Sequence, residues 1–313
     1  MNVTVIDLEL SVASPDDAAD MVEVIHAAFG ARPPLDPPST AIDETPESVA
    51  ATLQRAGGLL ARVNGRPAGV ILVAPVSTGL ATFQRVSVHP DFQRHGVASA
   101  MVAAAQDYAA ILGFEQVELF ARGEFADLVR FWQHRGFEVV RDAPNGVMLG
   151  RRLPVAVRVP TGAAMQELGE RLADVLDAGD LVVATGELGA GKTTLTQGIG
   201  RGLGSVDPVI SPTFVLSRVH RSTQGRPDLV HVDAYRLTSA DEVDGLDLDA
   251  SMDRSVTVVE WGEGMVESLA PSRLEIDIRP SHDTATNERT VLLRPVGERW
   301  REVSLAGLRG DRA

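Results

Sequence analysis

The stretch "GELGAGKTTL", Gly186 to Leu195, decides how the chain is read. Gly186, four further residues and then Gly191-Lys192-Thr193 fit G-x-x-x-x-G-K-[ST] without a gap. The apolar "DLVVATG" before it reads as a strand and "GKTTLTQGIGRGLG" after it as a helix. In such a strand–loop–helix, glycines let successive backbone N–H groups turn inward on phosphate oxygens. The helix N-terminus adds a favourable dipole. Lys192 would then neutralise the β- and γ-phosphates of a nucleotide, and the Thr193 hydroxyl would ligate Mg2+. The plain alternative is a turn that only joins strand to helix; a complete pattern in its proper setting weighs against it.

Working outward, "MQELGERLADVLDAG" reads as a helix, and "DLVHVD" and "VTVVE" as short apolar strands that each end on an acid. "RLEIDIRP" and "RTVLLRPV" read as a closing antiparallel pair. The alternation predicts an α/β domain with a mainly parallel sheet flanked by helices. In such sheets ligands sit beyond the carboxyl ends of the strands. Asp233 and Glu260 both fall there, as candidates for the acids a phosphate cradle needs. A helix cap or a solvated turn is the bland reading of either acid alone. Thr213, in "SPTF", can meet a γ-phosphate from a loop or simply stabilise a turn.

Further upstream, "RVSVHPDFQRHGVASAMV" reads as strand, turn, glycine loop and helix. The rest of the first half is mixed. "SPDDAADMVEVIHAAFG" carries a serine cap, early acids and a glycine stop. "GLLARVNGRPAGVILVAPV" reads as a hairpin about Asn64-Gly65. "QVELFA" is a strand and "FADLVRFWQHRG" a helix, and "FEVV" with "GVMLGRR" gives the last strands. The proline cluster in "ARPPLDPPST" reads as a loop. A second proline-bounded stretch places the seam between the halves near Arg152 to Pro160.

The chain has 313 residues, 44% of them hydrophobic and 23% charged, which suits two globular domains. The division expected is 1–153, 154–300 and a tail at 301–313. The net charge of −14 argues against gripping nucleic acid over a broad surface. There is no cysteine, which removes disulfides, thiolate metal sites and cysteine nucleophiles together. No signal peptide or membrane-spanning run is read, and the expected location is cytoplasmic.

"GELGAGKTTLTQGIGRGLG", "SPTFVL", "HVDAYRL" and "VVEWGE", in this order, resemble the TsaE (YjeE) family of small bacterial P-loop ATPases over about Val155 to Val296. The resemblance implies ATP hydrolysis in support of threonylcarbamoyladenosine (t6A) formation on tRNA, with a TsaB–TsaD complex as partner and tRNA met only indirectly. It implies an ATP cradle at Gly189, Ala190, Gly191, Lys192, Thr193 and Thr194. Thr193 and Glu260 would hold Mg2+, Asp233 would stand near the γ-phosphate, Thr213 would be the switch threonine and Trp261 would lie beside the nucleotide. Met165 stands where the family suggests a threonine near the adenine.

Gln93, Gly96 and Ala98 fit Q-x-x-G-x-A, and with "LVRFWQHRGF" the segment Val3 to Arg152 resembles the GNAT N-acetyltransferase family. That resemblance implies acetyl-CoA as cofactor. The backbones of Val86 and Val88 would pair with its pantetheine arm, and Arg94, His95, Gly96, Val97, Ala98 and Ser99 would cradle its pyrophosphate. Trp132 stands where the family often has a tyrosine that protonates the leaving thiolate, and indole has no titratable donor. His89 and His134 are substitutes to weigh against structural histidines. Glu124, Asp127 and Asp43 to Glu47 can attract an amine, or be solvated surface. The acceptor stays open.

The leading expectation is a fusion of a tRNA-modification ATPase and an acetyltransferase. A non-catalytic acetyl-CoA module on an assembly factor is the alternative. A small-molecule P-loop kinase ranks lower, because "HRSTQGRP" makes a poor lid.

Overall fold

Two seven-stranded sheets hold the described strands. The computed structural model describes residues 7–33, 35–55, 57–212, 215–237, 239, 242–243, 245–246, 248–281 and 286–309. Two units result, Met1–Leu153 and Pro154–Ala313. No described helix is long and apolar enough to cross a membrane.

In the first unit the strands are β1 (Leu8–Val12), β2 (Gly58–Val63), β3 (Arg66–Ser77), β4 (Leu80–Val88), β5 (Gln116–Arg122), β6 (Glu138–Ala143) and β7 (Gly146–Arg152). Their order is β1-β2-β3-β4-β5-β7-β6. The β2–β3 turn is the expected one: Asn64 and Gly65 both have positive φ, 49° and 75°. That geometry matches the right-handed twist of the strands. The helices are α1 (Ala18–Gly30), α2 (Pro46–Arg55), α3 (Val97–Ile111) and α4 (Ala126–Gln133). Met21, Val24 and Ile25 of α1 pack with Leu60, Val70 and Leu72 of the sheet. Asp17 accepts from the Ser14 amide at 2.9 Å and closes the entry to α1.

β4 and β5 are the parallel pair of this sheet, and their pairing stops early. Leu80–Thr82 meet Gln116–Glu118, and beyond them the two strands are no longer in register with each other. Opposite this point β4 carries a bulge, at which Arg85 takes φ +50° and the register with β3 shifts. The strands therefore part into a cleft that opens toward their carboxyl ends.

The second unit has β8 (Val155–Val159), β9 (Leu181–Gly186), β10 (Ser217–His220), β11 (Asp228–Asp233), β12 (Ser255–Glu260), β13 (Arg273–Pro280) and β14 (Arg289–Val296). Their order is β10-β11-β12-β9-β13-β14-β8. The four central strands β11, β12, β9 and β13 are parallel. β10, β14 and β8 join antiparallel, so the sheet is mixed rather than parallel throughout. Helices α5 (Gly162–Ala173) and α6 (Lys192–Gly202) cover one face, where Leu168, Leu172, Leu195 and Ile199 pack on Val182, Val258 and Ile276. Val183, Val230, Val232 and Val259 face the opposite core, which explains the unbroken apolar runs.

α5 and α6 meet backbone to backbone. A Cβ on Gly198 would lie 2.1 Å from the Gln166 carbonyl oxygen, and one on Gly169 would lie 2.3 Å from that of Leu195.

The units divide between Leu153 and Pro154, inside the stretch expected as the seam, and one boundary expectation changes. The stretch read as a seam, Arg152 to Pro160, contains β8, with Pro154 and Pro160 just outside its ends where a missing N–H does no harm. Residues after 300, read as a tail, belong to the second core: Leu305 and Leu308 are buried there beside Trp300.

Candidate nucleotide and cofactor sites

The glycine loop of the second unit runs from the end of β9 into α6. Gly191 caps α6 in the left-handed region at φ 112°, so the first helical amides face the loop interior. Lys192, at the first position of α6, turns back over that interior. Its Nζ donates to the carbonyls of Gly186 at 2.7 Å and Glu187 at 2.9 Å. The same Nζ stands 3.6 Å from the centre of the Trp261 ring. Burial pushes the lysine's pKa down, and nearby Glu260 and Asp233 pull in the other direction.

Asp233 and Glu260 sit side by side, because β11 and β12 pair them in register. Glu260 is buried at the strand end. Its Oε2 accepts from the Thr193 hydroxyl at 3.1 Å and its Oε1 lies 2.7 Å from His231 Nε2. Asp233 is also buried; it accepts from Ser211 Oγ and from the Tyr235 amide, both at 3.1 Å. Trp261 takes φ +64° and meets the Tyr235 ring edge-on at 5.2 Å. The structure thus brings Lys192, Thr193, Asp233, Glu260 and Trp261 to one strand-end cluster. Thr213 lies outside the described residues. Met165 is a core residue of α5, beside Gly191.

Sequence reasoning missed His231 and Ser211. The signal for His231 was available: two residues before Asp233 on a strand, it must share that acid's face.

In the first unit, Gly96 caps α3 at φ 79°, after Arg94 at φ +62°. Arg94, His95, Gly96 and Ser99 are exposed at this helix start, and Val97 anchors it in the core. Val86 and Val88 lie on the part of β4 beyond its pairing with β5. Arg135 donates to Ser99 Oγ and lies 3.5 Å over the Phe131 ring.

Trp132 is 2% exposed and packs edge-on against Phe131 and Phe137, so it fills the core. His89 uses Nδ1 to accept from the Asp91 amide, and His134 Nδ1 faces the Arg130 carbonyl of its own helix. Both read as local structure. The acids weighed as amine attractors are largely paired: Glu124 with Arg122, Asp127 with Arg130 and Glu44 with Arg85.

Residues 159–291 match the model of the family described as "Threonylcarbamoyl adenosine biosynthesis protein TsaE". A Streptomyces coelicolor protein named tRNA threonylcarbamoyladenosine biosynthesis protein TsaE is 56% identical over 148 residues, 47% of this chain and all of that one. The chain belongs to the TsaE family. A TsaE of Mycobacterium tuberculosis is 50% identical over 123 residues, covering 37% of this chain and 73% of its own. That of Bacillus subtilis is 38% identical over 122 residues, 39% of this chain and 73% of its own. The TsaE unit is preceded by a second match: residues 22–137 fit the Acetyltransferase (GNAT) family model. An N-acetyltransferase from Thermoplasma acidophilum, solved in complex with coenzyme A, aligns over 47% of this chain and 99% of its own at 14% identity and TM-score 0.42.

Proposed function

We propose that the TsaE unit hydrolyses ATP in support of t6A formation on tRNA, acting with a TsaB–TsaD-type complex in the cytoplasm. The GNAT-like unit, on this reading, transfers an acetyl group from acetyl-CoA to an amine. The observation that carries the first part is the convergence of Lys192, Thr193, Asp233 and Glu260 at the mouth of one glycine loop.

The donors fit Mg2+. Thr193 and Glu260 offer hard oxygens 3.1 Å apart, and no cluster of three or more acidic or histidine side chains forms a closed cage among the described residues. Mg2+ is held in that manner, by one or two protein oxygens beside the substrate phosphates. When bound it would neutralise charge on the phosphates. Lys192 would leave the Gly186 and Glu187 carbonyls for the β- and γ-phosphates. The α6 amides would hold the phosphate chain, and Trp261 would wall the site. Asp233 would orient the attacking water, with Thr213 closing from its loop.

Lys192 is already satisfied by its own loop, so nucleotide binding must exchange two hydrogen bonds for phosphate contacts. That supports slow turnover alone and faster turnover when a partner fixes the loop. Steady-state phosphate release, with and without purified TsaB–TsaD from the same source, tests it. A high rate alone that ignores the complex would reject partner gating.

For the first unit the supporting observation is the parting of β4 and β5 beside the Gly96 cap. The arm of acetyl-CoA would lie along β4 at Val86 and Val88, with its pyrophosphate at α3. The core position of Trp132 favours one second reading, a unit that binds acetyl-CoA without transferring it. Product formation separates the two.

A further inference from the structure

The loop that joins α1 to α2 is strapped to both strands of the cleft. On β4, Arg85 donates to Glu44 at 2.6 Å and to Thr40 Oγ1 at 3.2 Å. On β5, Arg122 donates to the carbonyls of Pro37 at 2.7 Å and Asp36 at 2.9 Å. The loop therefore bridges the point where the strands part, on the α1 side. The α3 cap lies after β4, so the phosphates of acetyl-CoA have a separate place.

Arg32 stands where this loop leaves α1. Its guanidinium carbon lies 3.9 Å from the Phe29 ring centre and 5.7 Å from that of Phe125, which follows β5. The side chain is half-buried, and burial pushes its pKa down with no acid acting against that. Arg85 and Arg122 each have a carboxylate. Among the described residues Arg32 has none. A guanidinium lying over a ring face can still offer its N–H groups to a planar, bidentate anion. Removing it from water without a counter-ion is unfavourable, and a bound anion would relieve that.

We propose that Arg32 is the acceptor-recognition residue of the first unit and that the acceptor is a primary amine bearing a carboxylate. This rests on the acetyl-transfer reading above. Such an acceptor is a zwitterion, so it brings less negative charge to the site than a phosphate dianion would. In the transfer, the amine nitrogen forms the new C–N bond as the thioester C–S bond breaks. The proton lost from the amine ends on the departing thiolate of coenzyme A.

The test uses the full chain. Acetyl-CoA binding is first measured by calorimetry. Acetyl transfer is then followed by mass spectrometry and thiol release over amino acids and dipeptides. Each is paired with its carboxamide, and O-phosphoethanolamine is added. Products should concentrate on the carboxylate-bearing members. Arg32→Met should raise their KM by at least about tenfold with kcat little changed. The carboxamides and acetyl-CoA binding should be unaffected, and Arg32→Lys should fall between. A structural defect would instead strike every probe alike. Preference for carboxamides or for the phosphoamine, an indifferent Arg32→Met, or lost acetyl-CoA binding in that variant would each overturn the proposal. Acetyl-CoA bound with no product on any probe, or no acetyl-CoA binding by the wild type, would instead reject the acetyl-transfer reading beneath it.

Discussion

His231 Nε2 stands 2.7 Å from Glu260 Oε1, and both side chains are closed to solvent. Glu260 thereby keeps one oxygen tied to β11 and turns the other toward Thr193. His231→Phe leaves a buried carboxylate short of a partner, a loss of about 1–3 kcal/mol. Melting should show that loss. Magnesium titration of nucleotide binding should show a weaker metal response, because the carboxylate is no longer held in one rotamer. His231→Gln, which retains a donor, should recover part of both.

Lys192→Ala should lower ATP turnover by at least about a hundredfold, since the charge aimed at the phosphates is gone. Its melting temperature should change little, because the two carbonyls it leaves lie at the rim of the loop and can be hydrated. Phosphate-release kinetics and calorimetry with ATP check both halves. Trp261→Ala removes the ring under Nζ and should weaken nucleotide binding by a smaller factor.

Gly198→Ala should destabilise the TsaE unit by about 1–3 kcal/mol, because the added carbon meets backbone that cannot step aside. Helix propensity alone predicts the reverse sign. Chemical denaturation of the variant decides between them. Since α6 carries Lys192 and Thr193, the forced shift should also raise the KM for ATP.

Gly96→Glu should abolish acetyl-CoA binding. The position is open to solvent, so the side chain has room, but it brings a negative charge to the α3 cap and strains φ 79°. The strain is about 1–2 kcal/mol, too little to unfold the unit. Calorimetry with acetyl-CoA reads the first effect and thermal melting the second. Loss of the fold together with binding would leave the pyrophosphate role of this cap without support.

What could be read from the sequence was local. β9, the glycine loop and α6 follow one another within a few residues, and each announces itself by period or glycine spacing. The hairpin at Asn64-Gly65 is legible for the same reason. β8 was not, because prolines on both sides of five residues look like a linker until β14 supplies its pairing partner. α2 hid behind Pro46, which ends the proline-rich stretch and also opens the helix; Thr45 and Ser48 then cap it reciprocally. The straps on the cleft join residues 41 and 85 positions apart, a separation that no window along the chain can see. The acids offered as amine attractors misled for that reason: their partners are set by the fold.

The burial of Trp300, Leu305 and Leu308 bears on how the TsaE unit should be cut out for study. A fragment ending at residue 291, where the family match stops, would cut through β14 as well as lose all three anchors, and would bare the floor on which α5 and β8 rest. Such a fragment should come out of expression aggregated while its catalytic motifs remain whole. A chemist testing ATP hydrolysis on it would then be measuring a broken hydrophobic seal and mistaking it for a dead enzyme.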